Sequence, residues 1–596
     1  MKKRSRKSLI FVLVLIAAVI SLTVFIKFRN GINDKNKVRK LTAQETQQQF
    51  DEFINNIFIN EVTCDSVTLN FTIKDKDKYG IEDIEPALGT VGMEEMQNSI
   101  FISENRMAAL EEFDYDNLTY EQKLIYDIIY NILRVNMDSS EVLEYAETLG
   151  PTSGIQAQLP VLLSEYNFYD ESDIETYFEL LKLVPEYFDS IIKFEQKKSE
   201  DGLFMSDVTA QAIIKQCQDF IKSDENCLVT VFDRRIDEFE GISDDKIKEY
   251  KFQNRKLVQV YVIKAYEKLI DALTELKGTG KNESGLCGFK KGKKYYEYLV
   301  KAKTGSYRGI RKINRMLEEQ IAVSQKEIAS IMTENPNAYY SAQDIKYPYD
   351  NPEETIGYLR EAVKKDFGEL PDSVLCDIKY VDKSMEASLS PAFYLTPCID
   401  SFDENVMYLN GYEKYDLSQA FSTIAHESYP GHLFQNCYFN NTKPNPVRSV
   451  IHVGGYSEGW ATYAEIYSYS YAGLNKDVKR LMQENTVATL CIYGKADIGV
   501  NYYGWDFNKL QEYLSGFGFS KSQSKTIYDS MVAEPANYLQ YIVGYLEIEE
   551  LKETAQEDLG DKFQIRDFHR FILETGPAPF SVIEERLDEY VDGMYN

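Results

Sequence analysis

Histidine is scarce in this chain, with four residues in 596. Positive charge is also short. Sixty-six lysines and arginines stand against 95 aspartates and glutamates, a formal net charge of −29. Binding to nucleic acid requires basic patches that neutralise phosphates, so nucleic acid is not expected as a partner. The eight cysteines (Cys64, Cys217, Cys227, Cys287, Cys376, Cys398, Cys437 and Cys491) contain no C-x-x-C pair. A cysteine zinc site or a thioredoxin-like motif is therefore unsupported. Cys217–Cys227 and Cys376–Cys398 are the sequence-near candidates for disulfides, and free buried thiols are the equal alternative. No internal repeat and no long low-complexity segment is present. Hydrophobic residues make up 44% of the chain, enough for a large packed core.

The longest stretch free of charge is at the N-terminus. It runs from Ser8 to Ile26, after Met-Lys-Lys-Arg-Ser-Arg-Lys and before Lys27 and Arg29. An apolar run of about 18 residues or more can cross a bilayer as a helix. The basic cluster in front of it predicts a cytoplasmic N-terminus. The expectation is a single-pass signal anchor over residues 1–29 that holds the catalytic body outside the membrane. A cleaved secretion signal is the alternative. No cysteine ends the run, so a lipid anchor is excluded. Residues 30–49 read as a polar stalk and residues 50–596 as one body.

Two of the four histidines lie together in His426-Glu427-Ser428-Tyr429-Pro430-Gly431-His432. Twenty-six residues beyond His432 comes Glu458, in Ser457-Glu458-Gly459-Trp460-Ala461-Thr462-Tyr463-Ala464-Glu465. Two imidazoles and a carboxylate form a three-ligand set with an open fourth position, the arrangement of a catalytic zinc. Glu427 is then left as general base toward water at the metal. The histidines stand at i and i+6, not i and i+4. An unbroken helix would separate them by about 240° of rotation and roughly 9 Å of rise. Pro430 and Gly431 are the residues able to break or bulge the helix and return His432 toward His426.

These motifs resemble the DUF885 family, largely uncharacterised proteins allied to zincin-like metallopeptidases. The family carries H-E-x-x-P-G-H followed by E-G-W-A-x-Y-A-E, and both stand intact at His426–His432 and Glu458–Glu465. The resemblance runs from about residue 45 to the C-terminus. It implies His426, His432 and Glu458 as metal ligands and Glu427 as base. Where the family often has a further histidine, this chain has Leu433. Asp497-Ile498-Gly499-Val500-Asn501 is similar to a family D-x-G-x-H segment, with asparagine in place of histidine. Pro535 to Gly544 is similar to P-G-Q-A-x-x-Y-x-x-G and keeps Pro535, Tyr541 and Gly544, with departures at Ala536, Asn537 and Tyr538. Through the resemblance, Tyr541 is a candidate donor to a developing oxyanion. His569, in a family-like Phe-His pair, is either a second such donor or a satisfied core histidine.

Periodicity makes the chain mainly helical. Amphipathic stretches run over Leu118–Leu149, Asp173–Lys198, Val208–Ser223, Asp245–Leu276 and Tyr307–Met332. Asn335–Pro352 reads as loop. Short β-branched and aromatic runs between Ser373 and Leu409 predict a small sheet, either plain hairpins or an edge able to pair with an extended substrate. Asp416 is a candidate cap for the motif helix and Ser457 for the Glu458 helix. Glu465, one face with Glu458, is either a hydrogen-bond partner for a ligand histidine or an exposed carboxylate. His452, between the two helices, has no spacing that demands metal.

The combined expectation is a large helical zincin-like metallopeptidase domain with a small β-sheet beside the motif helix, preceded by a transmembrane anchor. It would use Zn2+ to hydrolyse short peptides outside the cytoplasm. An amidase acting on cell-wall peptides and a catalytically retired surface binding protein are the alternatives.

Overall fold

The structure, a computed structural model, describes residues 41–222, 226–383, 385, 386 and 389–595. The expected anchor over residues 1–29 and most of the expected stalk lie outside the described residues. Among the described residues no helix is long and apolar enough to cross a membrane. Residues 43–49, expected as stalk, instead open the helix Ala43–Val62. Thr42 and Glu45 explain the start: Glu45 N–H donates to the Thr42 hydroxyl, and the Thr42 N–H donates to the Glu45 carboxylate.

The described chain divides into two compact units. The small one combines the start of that helix, to Glu52, with Phe113–Lys123. Inside it Gln122 donates to the Gln47 carbonyl and the Asp51 carboxylate, and Phe50 meets Phe113 edge-on at 5.2 Å. The large unit holds everything discussed below.

Two apolar cores fill the large unit. One is built by helices between Leu149 and Leu273. Its longest member, α1 (Glu171–Glu200), begins in a capping box between Asp170 and Asp173 and buries Ile174, Phe178, Leu181, Val184, Phe188 and Ile191 on one stripe. The stretch expected over Asp245–Leu276 is two helices, Asp244–Leu257 and Ile263–Leu276, joined by a π-helical turn. The other core gathers the C-terminal half. In it α2 (Ile310–Glu334) packs along a later helix, Lys476–Ile498. The segment expected as loop after α2 contains a short helix, Asn337–Gln343. Its Ala338 is buried with Ile331, Ile345, Val478 and Leu481, so packing overrides the turn-rich composition.

The small sheet has the order β1-β3-β2. β1 (Leu375–Tyr380) pairs parallel with β3 (Glu404–Leu409), and β2 (Ala392–Leu395) pairs antiparallel on the other side. A parallel pair is not a hairpin, so the sheet is more than two adjoining turns. β2 is an edge strand, and it lies against the motif helix.

None of the eight cysteines is in a disulfide, and five are buried. Neither candidate disulfide is formed.

Candidate metal centre

Four helices supply the site: α3 (Phe421–Glu427), α4 (His432–Asn441), α5 (Gly454–Ser468) and, after α6 (Lys476–Ile498), α7 (Asn537–Leu559). The H-E-S-Y-P-G-H segment is not one bent helix. α3 ends at Glu427, residues 428–431 form a tight connection with a cis Tyr429–Pro430 bond, and His432 opens α4. Asp416 caps only a short 3-10 turn ahead of α3. The connection folds back on α3: Gly431 N–H donates to the Ala425 carbonyl at 3.0 Å. A Cβ on Gly431 would lie 1.8 Å from the His426 carbonyl oxygen, so this approach admits only glycine. The buried Trp460 indole, from α5, donates to the Pro430 carbonyl at 2.9 Å and ties the turn to the helix that carries Glu458.

This path brings His426 and His432 together, their ring centroids 4.9 Å apart and nearly perpendicular. Glu458 completes the group. Its Oε2 lies 3.6 Å from His426 Nε2 and 3.5 Å from His432 Nε2, and the three donor atoms all fall within 4.8 Å of one another. Among the described residues this is the single cluster of histidine, cysteine or carboxylate with metal-holding spacing.

The outward ring nitrogens are both engaged. His426 Nδ1 lies 3.2 Å from Glu465 Oε2, and His432 Nδ1 lies 3.4 Å from the Ser457 hydroxyl. Each imidazole thus turns Nε2 toward the common point. Donor atoms on a tetrahedral zinc with bonds near 2.1 Å stand about 3.4 Å apart. The two imidazole–carboxylate separations match that value, and the outer partners are of the kind that orient metal-bound histidines. The residues therefore fit a zinc ion.

The electrostatics agree. Burial disfavours an imidazolium at His426, but hydrogen bonds to Glu458 and Glu465 and the charge of Glu427 outweigh it and raise its pKa well above the usual range. Burial would raise the carboxyl of Glu458, yet the two imidazoles hold it well below the usual range. Carboxylates crowded around two rings draw positive charge into the space they share.

Glu427 is partly buried beside His426, His432 and Glu458. Burial lifts its carboxyl above the ordinary range, against the pull of His426 and His432. The backbone N–H of Tyr394, on β2, donates to its Oε2 at 2.9 Å.

Tyr541 comes from α7. Its ring lies 6.3 Å from that of His426 at an interplanar angle of 28°. Burial, then Glu458 and Glu427, raise its phenol pKa, so the hydroxyl stays protonated. What brings it there is a glycine crossing between α5 and α7. A Cβ on Gly459 would meet Gly544 Cα at 2.5 Å, and one on Gly544 would meet the Gly455 carbonyl oxygen at 2.0 Å. Backbone touches backbone, and Tyr541, one turn before Gly544, faces Glu458, next to Gly459.

His569 does not join this group as an oxyanion donor. It is fully buried, stacked on Phe367 at 4.0 Å between ring centroids. A carbonyl only accepts, so Nδ1 donates to the Asp366 carbonyl at 2.8 Å, and Nε2 accepts from the Tyr463 hydroxyl at 2.8 Å. Both nitrogens are occupied in the core. Asn501, where the family has histidine, is equally enclosed: it bonds Leu286 N–H, the Met531 carbonyl and Asp497.

Two contributors escaped the sequence reading. Ser457 was expected to cap α5, but that helix begins at Gly454 and the hydroxyl instead faces His432. Tyr394 contributes a backbone group, which leaves no mark in a sequence.

Solved structures share this fold. A protein described as a candidate lipoprotein from Colwellia psychrerythraea superposes with a TM-score of 0.79 at 17% identity, over 92% of this chain and 99% of that one. Another described as a candidate lipoprotein of unknown function, from Shewanella oneidensis, does so with a TM-score of 0.61 at 15% identity, over 92% of this chain and all of that one. No curated protein matches the chain. Residues 78–587 match the model of the family described as bacterial protein of unknown function, DUF885, and the chain belongs to that family.

Proposed function

We propose that this protein is an extracytoplasmic, membrane-associated zinc peptidase of the zincin-like kind that hydrolyses short peptides. One observation carries the reading: His426, His432 and Glu458 converge on a point beside which Glu427 is held by the backbone of an edge strand. His426, His432 and Glu458 would hold the ion. When bound, it supplies Lewis acidity, polarising a carbonyl and acidifying water.

The chain's own residues do the rest. Glu427 takes a proton from the attacking water at its carboxylate and gives it to the departing amine nitrogen. Its raised pKa brings it closer to the neutral range in which one group serves as base and then acid. The Tyr541 hydroxyl donates to the carbonyl oxygen as charge builds there, an effect of about 3–4 kcal/mol in comparable sites. β2 supports a peptide as substrate. Asn410 N–H bonds the Pro391 carbonyl, so by strand alternation Ala392 and Tyr394 turn their backbone groups outward. The Tyr394 N–H goes to Glu427, and its carbonyl is left to receive an N–H from an extended chain.

The location rests on the charged tip and uncharged run at the N-terminus, and on two fold relatives described as candidate lipoproteins. The test is digestion of a peptide library, cell-wall stem peptides included, by zinc-loaded protein with and without chelator. We expect chelator-sensitive cleavage that Glu427→Gln abolishes while keeping about one zinc per chain. Wild type that binds no zinc, or cleaves nothing, would instead be a binding protein on this scaffold.

A further inference from the structure

The start of α7 has an unusual support. Its cap residue, Ala536, has φ +61°, a left-handed conformation that a residue with a Cβ adopts reluctantly. Alanine also has no side chain with which to cap the helix, and none of its own residues does so. The amide of Ala536 is taken instead by a carboxylate from another helix. Asp497, in the last turn of α6 and fully buried, accepts it at 2.9 Å on Oδ2 and 3.1 Å on Oδ1. The same carboxylate accepts the Tyr296 hydroxyl at 2.5 Å and Asn501 Nδ2 at 3.3 Å. Lys303 Nζ donates to the neighbouring Pro535 carbonyl at 3.2 Å. Five residues beyond Ala536 stands Tyr541.

We propose that Asp497 is a positioning residue, which fixes the left-handed turn at Ala536 and through it the place of the Tyr541 ring beside that of His426. This rests on the peptidase reading only for the role given to Tyr541. The carboxylate is needed because three donors converge on it: an amide, a phenol and an asparagine N–H. Asparagine at 497 has one acceptor oxygen and would turn N–H groups toward those donors, so the turn must relax. A shift of about 1 Å in a group that aligns a reaction can cost about 100-fold in rate.

The test places 3-fluorotyrosine at position 541 of the full-length protein and records its 19F resonance, first without metal and then as zinc is added. In Asp497→Asn we expect the metal-free resonance to move from its wild-type position, while zinc affinity, set by other residues, stays within about threefold. An unmoved resonance overturns the proposal. If Asp497→Asn does not fold, Tyr296→Phe decides in its place: it removes one donor from the carboxylate, and the same shift supports the proposal or its absence overturns it. Absence of any zinc response in wild type sinks the metal reading and leaves the metal-free comparison valid. Where peptide hydrolysis is observed, Asp497→Asn should lower kcat about 100-fold with KM little changed. The double variant with Tyr541→Phe should be no slower than Tyr541→Phe alone, and multiplying losses would show that Asp497 acts on the fold at large.

Discussion

Glu465 illustrates how much a single carboxylate contributes when it touches an imidazole of the candidate metal centre. Its Oε2 holds His426 Nδ1, and its Oε1 accepts from the Ser422 hydroxyl. Such partners fix ring orientation and raise ligand basicity. Glu465→Gln keeps the shape and an acceptor oxygen but removes the charge, so zinc affinity should fall about 10- to 100-fold. Competition with a chromogenic chelator measures this without any substrate, and an unchanged affinity would assign Glu465 to packing. The cluster was legible in the sequence because the chemistry demands residue types: two of four histidines six positions apart leave few other readings. Their partners were less legible. Ser457 sits where a cap belongs, and serine serves both purposes. His569 shows the reverse limit, since a sequence displays an imidazole but not the Asp366 carbonyl and Tyr463 hydroxyl that occupy it.

Helices were foreseen better by their apolar stripes than by their ends. α1 was legible nearly throughout because it carries its own cap and a regular buried face. α5 begins three residues before the expected cap because Gly454 and Gly455 press on Lys303 and Thr304, a contact between distant segments. The crossing of α5 and α7 depends on the same kind of contact and gives opposite expectations for two substitutions of one type. At Gly459 an added Cβ has no room against Gly544. Gly459→Ala should destabilise by about 2 kcal/mol or more, overpacking outweighing the helix propensity gained. Gly357, inside the helix Pro352–Ala362, has nothing within 4 Å of an added Cβ. Gly357→Ala should stabilise by about 0.5–1 kcal/mol. Urea unfolding of the two variants checks the pair, and equal effects would remove the crossing as a constraint.

The molecule as a whole carries acid sensitivity in its C-terminal core. Burial brings the His569 pKa from 6.5 down to about 3. Below pH 6.5 the unfolded chain takes a proton that the folded one does not. This contribution is therefore complete above 6.5 and is lost as pH falls toward 3, by roughly 4–5 kcal/mol. His569→Gln cannot titrate, so its unfolding midpoint should fall less steeply than the wild type's between pH 6.5 and 4, whatever its stability at neutral pH. Parallel slopes would show that another group sets the acid limit. At this scale the helical class was legible from periodicity, while the parallel pairing of β1 with β3 was not, because nothing local in either strand names its partner. The glycine crossing also has a mechanical consequence. Two helices in bare main-chain contact have no side chains between them to act as bearings, so the wall bearing Glu458 and Tyr541 cannot slide. Any widening that admits a guest is therefore expected away from this crossing, on the side where β2, itself paired with β3, meets Glu427 through the Tyr394 amide.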